Sequence, residues 1–283
     1  MEKDRHIIIY IPVYIANELH LDFTIQTIKS IKESEVEHIN YEIVLVENYC
    51  ADQYKEAELA LIPDSIDRII HNKKNSVSSA WNIAMKDGMS RYDKDTYIMI
   101  LNNDIILHPH ALRNLIKFAD EHPEFSLWSG CEHSNIRSLK RATYEYSFDE
   151  HPHFSFFMLQ PDNFVGKLKG LEENTGEPYP GYFDENIAPA YLEDNDMHQR
   201  LLRQGLKAGI TASALFYHYG SRTIKTDEEL FVKNLHTHEY NRKYFKLKWG
   251  FDVDGIGIGN QHDIRHTYAR PFNSNPPAGI TTG

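Results

Sequence analysis

The sequence predicts an α/β fold with a mainly parallel central sheet flanked by helices. Three observations carry that expectation. Residues 6–14, 41–46 and 96–101 are apolar runs too short for helices, and they are nearly continuous rather than alternating. Such runs suit strands covered on both faces. Helical patterns at 18–33 and 77–87 separate them. The repeated strand–helix–strand order places helices on the faces of a parallel sheet.

Each element has its own signal. Residues 6–14 form a buried strand that Pro12 is expected to stop. Over 18–33, Leu21, Ile25, Ile28 and Lys32 share one helical stripe, with Ile31 beside it. Tyr41 to Val46 is a second strand, ended by Glu47-Asn48, and Arg68-Ile69-Ile70 is a short third. A helix from Val77 closes at Gly88, and Thr96 to Leu101 is the fourth strand. Pro109 fits a first helical position, with Leu112, Leu115, Ile116 and Ala119 as the buried stripe before Pro123. After residue 125 periodicity weakens, and residues 140–185 are dense in aromatics, His, Pro and Asn. A helix returns from Asp194 to Leu202 and ends at Gly205, followed by a strand from Thr211 to Tyr217. Residues 226–249 form an amphipathic helix, and the stretch from Gly250 is loose.

Composition narrows the function. The chain has 283 residues, 41% of them hydrophobic, and a net charge of −11 from 30 basic and 41 acidic residues. That balance disfavours general nucleic-acid binding. The two cysteines, Cys50 and Cys131, form neither a disulfide framework nor a zinc spacing. No apolar run approaches a membrane span, and the first residues are too short and acidic for a signal peptide. The expectation is a cytoplasmic protein without a transmembrane segment. Peripheral contact with the inner face of a membrane stays open, as does the oligomeric state.

The most informative motif is Leu101-Asn102-Asn103-Asp104, at the end of the fourth strand. Open α/β sheets bind ligands at the carboxyl ends of their strands. A carboxylate there can hold a divalent metal, and a metal can hold a diphosphate. Turn chemistry is the alternative, since Asn and Asp also favour turns. The first glycine of the chain is Gly88, so the glycine-rich phosphate loops of dinucleotide-binding and P-loop proteins are absent from the place they must occupy.

Six segments follow one another in order: Ile11-Pro12-Val13-Tyr14 with Asn17-Glu18; Val46-Glu47-Asn48-Tyr49-Cys50-Ala51-Asp52; Ser78-Ser79-Ala80-Trp81-Asn82; Leu101-Asn102-Asn103-Asp104; Gly181-Tyr182-Phe183-Asp184-Glu185 with Glu193-Asp194-Asn195-Asp196; and His218-Tyr219-Gly220-Ser221. Together they resemble the GT-A fold of nucleotide-diphospho-sugar transferases. The resemblance is to inverting glycosyltransferase family 2, in its rhamnosyl- and galactofuranosyl-transferase-like branch, over roughly residues 6–223. Tyr49 and Cys50 stand where the family usually has Gly and Ser, and Ser76 and Ser79 where it has small residues or Gly. The Gln-x-x-Arg-Trp motif of processive synthases is missing, which argues for adding one sugar or few.

The resemblance implies a hexosyl- or related transferase. Its parts would be a nucleotide-sugar half at 1–125, an acceptor and catalytic half at 126–223, and a C-terminal helical extension at 224–283. The donor would be a nucleotide-diphospho-sugar, with UDP favoured, and the acceptor a glycan or glycolipid hydroxyl. Donor contacts would come from Pro12, Tyr14, Glu18, Glu47, Asn48, Asn82, Asn102, Asn103 and Arg222. Mn²⁺ or Mg²⁺ would sit on Asp104 and His218, and imidazole suits Mn²⁺ better. Asp194 would be the general base and Glu193 would orient the acceptor.

The residues leave alternatives. Asp194 also suits a plain helix start, although Glu193, Asp194 and Asp196 crowd there as a raised pKa requires. His218 is one of sixteen histidines. Tyr14 reads as a stacking platform or as core edge. The aromatics of residues 144–157 read as an acceptor platform or as a cluster under a long loop. Arg222 and Lys225 read as diphosphate contacts or exposed cations, and His236-x-His238 as helix surface. Two functional rivals remain: a catalytically inactive nucleotide-sugar or glycan-binding module, and a transferase acting on modified DNA bases.

Overall fold

The computed structural model describes residues 5–36, 38–62, 64–91, 96–143, 148–150, 152–161, 182–220 and 226–252. In chain order the elements are β1 (Arg5–Ile15), α1 (Glu18–Lys32), β2 (Ile39–Cys50), α2 (Lys55–Leu59), β3 (Arg68–His71) and α3 (Val77–Ser90). Then follow β4 (Thr96–Leu101), β5 (Ile105–Leu107), α4 (Ala111–Glu121), β6 (Leu127–Glu132), α5 (Ile136–Leu139), β7 (Phe148–Asp149) and β8 (Phe156–Leu159). The last are α6 (Glu193–Arg203), β9 (Ala208–His218) and α7 (Glu228–Trp249).

The strands form one sheet in the order β3-β2-β1-β4-β8-β6-β9-β5, with β7 pairing β9. Strands β1 to β4 are mutually parallel, and β6 is parallel to β9. The antiparallel members are β5, β7 and β8. The sequence signals for β5, β6, β7 and β8 are short, and residues 105–107, 127–132 and 156–159 were not anticipated as strands. Phe156 and Phe157, expected under a loop, lie in β8, fully buried beside β4.

Alternation along β1 divides the core. Ile7, Ile9, Ile11 and Val13 face α1 and α4, where Leu21, Ile28, Ile31, Leu112 and Leu115 are buried. Ile8 and Tyr10 face α3 and α6, where Ala80, Trp81, Met85, Met197 and Leu201 are buried. This two-sided burial is why β4 is buried at every position and apolar over most of its length.

Several expected boundaries move, each for a physical reason. Pro12 lies within β1, past the last β4 pairing at Tyr10↔Ile100. There β1 is bonded on one side only, where a residue without an N–H is tolerated. Strand β2 continues through Glu47-Asn48 to Cys50. On α1, Ile25 is exposed, and the buried face includes Thr24, Thr27 and Ser30. Thr27 Oγ1 donates to the Ile105 carbonyl (2.8 Å), and the Leu107 N–H donates to Ser30 Oγ (3.1 Å). These polar residues face inward because they satisfy the backbone of the edge strand β5. Gly88 does not end α3, which runs to Ser90. Its missing side chain instead admits Ile98, whose Cδ1 lies 2.6 Å from where a Cβ would stand. Pro109 precedes His110, the residue before α4, rather than opening the helix.

Among the described residues no helix is long and apolar enough to cross a membrane, and Cys50 and Cys131 are free. The helix α7 packs Phe245 and Trp249 against Ile187 and Leu192.

Gly130 sits at a register break between β6 and β9, where Gly130 pairs Thr211 and Cys131 pairs Leu215. A Cβ there would lie 2.5 Å from the Ala214 carbonyl and 2.4 Å from Phe156. Gly130→Ala is expected to cost about 1–3 kcal/mol or more through overpacking, read as a lowered unfolding midpoint.

Candidate functional site

The carboxyl ends of β1, β2 and β4 open onto a cavity of about 540 Å³. It lies where the sheet order reverses, with β2 and β3 on one side of β1 and β4 on the other. Such a switch point is where open α/β sheets bind ligands. Pro12, Val13 and Tyr14 enter the cavity from β1, Asn48 from β2, and Asn102, Asn103 and Asp104 from the end of β4. Tyr191, Glu193 and Asp194 line the same cavity, and His218 arrives at the end of β9.

The Asn-Asn-Asp segment is held in place by its neighbours. The Asn102 N–H donates to the Ser155 carbonyl (2.9 Å), and Asn102 Nδ2 donates to Ser155 Oγ (3.1 Å). Asn103 Nδ2 donates to Thr24 Oγ1 at 3.1 Å. The Tyr219 N–H donates to the Asp104 carbonyl (3.0 Å), which brings His218 Nε2 to 3.1 Å from Asp104 Oδ1. Asp104 is buried apart from its cavity edge. His218 Nδ1 faces Glu132 Oε2 at 4.0 Å, and Glu132 in turn meets His153 Nε2 at 3.1 Å.

Asp104 and His218 present one carboxylate oxygen and one imidazole nitrogen to the same point. That donor set fits a divalent cation that takes its other ligands from phosphate and water. Among the described residues no group of three or more His, Cys, Asp or Glu forms a closed metal cage.

Glu193 and Asp194 begin α6 after a strained turn. Tyr191 and Leu192 have φ of 73° and 80°, a left-handed backbone that costs non-glycine residues about 1–3 kcal/mol each. No side chain caps the helix, and its first turn carries Glu193, Asp194 and Asp196. Burial pushes the Glu193 carboxyl well above its ordinary range, and the neighbouring Asp194 charge adds to this. Glu193 Oε2 is buried without a hydrogen-bond partner among the described residues. Burial also raises Asp194, opposed by the Asn195 N–H, which donates to Asp194 Oδ1 at 2.8 Å, and by His153. Desolvation is therefore the main cause, ahead of the expected crowding of three acids. Asp196 points away from the cavity, to Lys248 Nζ (2.7 Å), Arg200 Nε (3.1 Å) and Trp249 Nε1 (2.9 Å).

Of the residues singled out in the sequence, the structure brings Pro12, Tyr14, Asn48, Asn102, Asn103, Asp104, Glu193, Asp194 and His218 to one cavity. It does not bring Glu18, Glu47 or Asn82 there. Glu18 is exposed in the first turn of α1. Glu47 is taken up by Lys55 Nζ (2.6 Å) and His71 Nδ1 (2.8 Å). Burial opposes its ionisation, but these two partners hold it below the usual carboxylate range. Asn82 Nδ2 donates to the Phe183 carbonyl (2.8 Å) and to Glu185 (2.9 Å), and the Phe183 N–H donates to Asn82 Oδ1 (2.7 Å). Arg222 lies outside the described residues, as do Gly181, Ser221 and Lys225.

Trp81, His153 and Tyr191 are among the cavity residues that had no assigned role. The signal for Trp81 lay in the phase of α3. Val77 and Trp81, four apart, face the cavity, while Ser78 and Asn82, one step round the helix, face the 183–187 segment. Trp81 Nε1 is buried with no hydrogen-bond partner among the described residues. His153 had no local signal, since its partners Ser129 and Glu132 come from β6.

Comparisons with known proteins agree with this geometry. No curated protein matches the sequence. A structure of S. aureus TarS covering residues 1–349 is 10% identical, with a TM-score of 0.52, covering 93% of this chain and 77% of that one. A structure of GalNAc-T7 with UDP, GalNAc and Mn²⁺ is also 10% identical, with a TM-score of 0.55 over 93% of this chain and 54% of that one. The chain spans 47% of the length of another TarS structure, at a TM-score of 0.49 and 10% identity. At this identity the likeness shows the fold. The family model for glycosyl transferase family 2 matches residues 8–164, more than half of the chain. The chain therefore belongs to glycosyl transferase family 2, and its domain is a glycosyltransferase domain of the GT-A fold.

Proposed function

We propose that the chain transfers a sugar from a nucleotide-diphospho-sugar, with UDP as the favoured nucleotide, to a hydroxyl of a glycan or glycolipid, inverting the anomeric centre. One observation carries this reading. The Asp104–His218 pair and the Glu193–Asp194 pair line one cavity at the switch point of a GT-A sheet. The GalNAc-T7 structure, which holds UDP and Mn²⁺, supports a divalent cation and a uridine nucleotide by analogy of fold.

In this reading Asp104 and His218 hold Mn²⁺ or Mg²⁺. When bound, the cation supplies charge stabilisation to the departing diphosphate. Among the described residues Asp104 and His218 are the two that would hold it, and phosphate oxygens of the donor would complete its ligands. Asn102 and Asn103 fix the strand end that carries Asp104. Tyr14 and Asn48 line the wall where the nucleoside sits.

Asp194 accepts the proton as the acceptor oxygen attacks the anomeric carbon. The bond from that carbon to the phosphate oxygen breaks, and its electron pair leaves with the nucleoside diphosphate. A carboxylate lifted by desolvation accepts a proton more readily than one in water. Burial lifts Glu193 as well, and in its protonated form it can donate a hydrogen bond to the acceptor. The two free cysteines suit a reducing, cytoplasmic setting.

The first test is nucleotide release from UDP-, dTDP- and GDP-sugars with Mn²⁺ or chelator. Release of one nucleotide that needs the cation and is lost in Asp104→Ala is expected. Saturable binding without release, indifferent to chelator, would point to a binding module. Asp194→Asn is expected to reduce turnover by about 10²–10⁴-fold while UDP still binds. The acid limb of the wild-type pH–rate profile should lie above the ordinary aspartate range, because the base must be ionised and its pKa is raised.

Glu193 bears on stability as well. A raised folded-state pKa means that the folded chain binds the extra proton, and this stabilisation is lost as pH rises through the folded value. Glu193→Gln removes the cost of ionising a buried acid. The variant should therefore unfold at a higher temperature than wild type on the alkaline side of that window, and lose the difference in acid. An unfolding midpoint measured against pH reads this directly.

A further inference from the structure

The helix α7 lies outside the family match, which ends at residue 164, yet its contacts converge on the segment that carries Glu193 and Asp194. Asn241, fully buried, donates from Nδ2 to the carbonyls of Ala190 (3.2 Å) and Tyr191 (3.3 Å). These are the carbonyls of the left-handed turn that aims the start of α6. The Tyr191 ring meets His238 of α7 edge-on at 5.6 Å. One helix turn-pair further on, Lys248 Nζ bridges Asp184 Oδ2 (2.6 Å) and Asp196 Oδ1 (2.7 Å). Tyr244 donates to Asp184 Oδ2 (2.9 Å), and Trp249 Nε1 donates to Asp196 Oδ1. Arg200, also buried, donates to the Tyr182 carbonyl and pairs with Asp196.

The pattern is directional. Asp184 and Asp196 belong to the two acidic segments on the acceptor wall, and both turn away from the cavity toward α7. Glu193 and Asp194 turn the other way, into the cavity. A left-handed turn of non-glycine residues persists only where surrounding contacts over-determine it, and Asn241 and the Leu192–Phe245–Trp249 packing supply those contacts. The start of the same region reaches β1 and α1. Tyr14 donates to Asp227 (3.3 Å), and His20 Nε2 meets Thr226 Oγ1 at 2.7 Å.

Building on the reading of Glu193 and Asp194 as the acceptor-side pair, we propose that α7 is their positioning element. Asn241 fixes the Ala190–Leu192 turn, and Lys248 locks α6 to the 182–187 segment, so that both carboxylates face the cavity. Asn241 and Lys248 act through these residues and touch no substrate.

The test uses the full chain with Lys248→Met, Lys248→Arg and Asn241→Leu, alongside Asp194→Asn. Turnover is read as nucleotide release from the UDP-sugar, and UDP affinity by calorimetry. Lys248→Met and Asn241→Leu are each expected to lose about 10–100-fold in kcat, as small misplacements of reacting groups do, with UDP affinity unchanged. Lys248→Arg should recover part of the loss, because a cation again bridges the two aspartates. Asn241→Leu leaves every ion pair in place and carries the test if Lys248→Met does not fold. Turnover and UDP affinity falling together with the folded fraction, or failure of both variants to fold, would assign α7 to stability alone and overturn the proposal. So would wild-type turnover in both variants while Asp194→Asn is inactive. Wild-type turnover in Asp194→Asn would instead overturn the assignment of the pair on which the proposal rests.

Discussion

A carboxyl group held out of water must be neutral, paired or strained. The first turn of α6 holds unpartnered and paired acids within four residues. Glu193 is buried without a partner and Asp194 is only partly satisfied, so burial raises both. Asp196, three residues beyond Glu193 on the same helix, is fully buried but meets Lys248, Arg200 and Trp249. The helix phase decides which fate each acid has. Its aim comes from a left-handed turn that a random sequence would avoid. The chemistry of this turn thus depends on backbone placement more than on composition.

The Asn-Asn-Asp segment is set by another constraint. Strand β4 is buried on both faces, and from Ile98 to its end at Leu101 every side chain is apolar. Three polar residues then appear together, and hydrogen bonds to Thr24 and Ser155 fix two of them. The third, Asp104, is left to His218. That histidine reaches it because β9 pairs antiparallel with β5, placing Ile105 opposite His218. Antiparallel β8 lies between β4 and β6, so β9 stands three places from β4 in the sheet.

The parallel half of the fold was legible because its signals are local. A six-residue apolar run, a cap and a helical stripe each lie within a short window, and β1 to β4 with α1 and α3 followed from them. The second half was not, because its strands are short and their partners distant. Phe156 and Phe157 open a short apolar run with no alternation, and pairing with Leu101 and Ile100 of β4 and with Ser129 of β6 makes them a strand. The inward polar face of α1 has the same origin. Thr27 and Ser30 look like a solvent face until β5, more than seventy residues later, supplies the backbone groups they satisfy.

The candidate site divides along the same line. Asp104, Asn102, Asn103 and His218 stand at strand ends, and strand ends are readable from where hydrophobicity stops. Asn82 and Trp81 are adjacent in sequence and were not separable by type, because an asparagine is a plausible ligand contact and a tryptophan a plausible core residue. Only the phase of α3 against the 183–187 segment distinguishes them. That segment is itself held by Asp184, and Asp184 by Lys248. The orientation of a helix in the first third of the chain is therefore tied to a lysine at its far end. No window of sequence contains that relation.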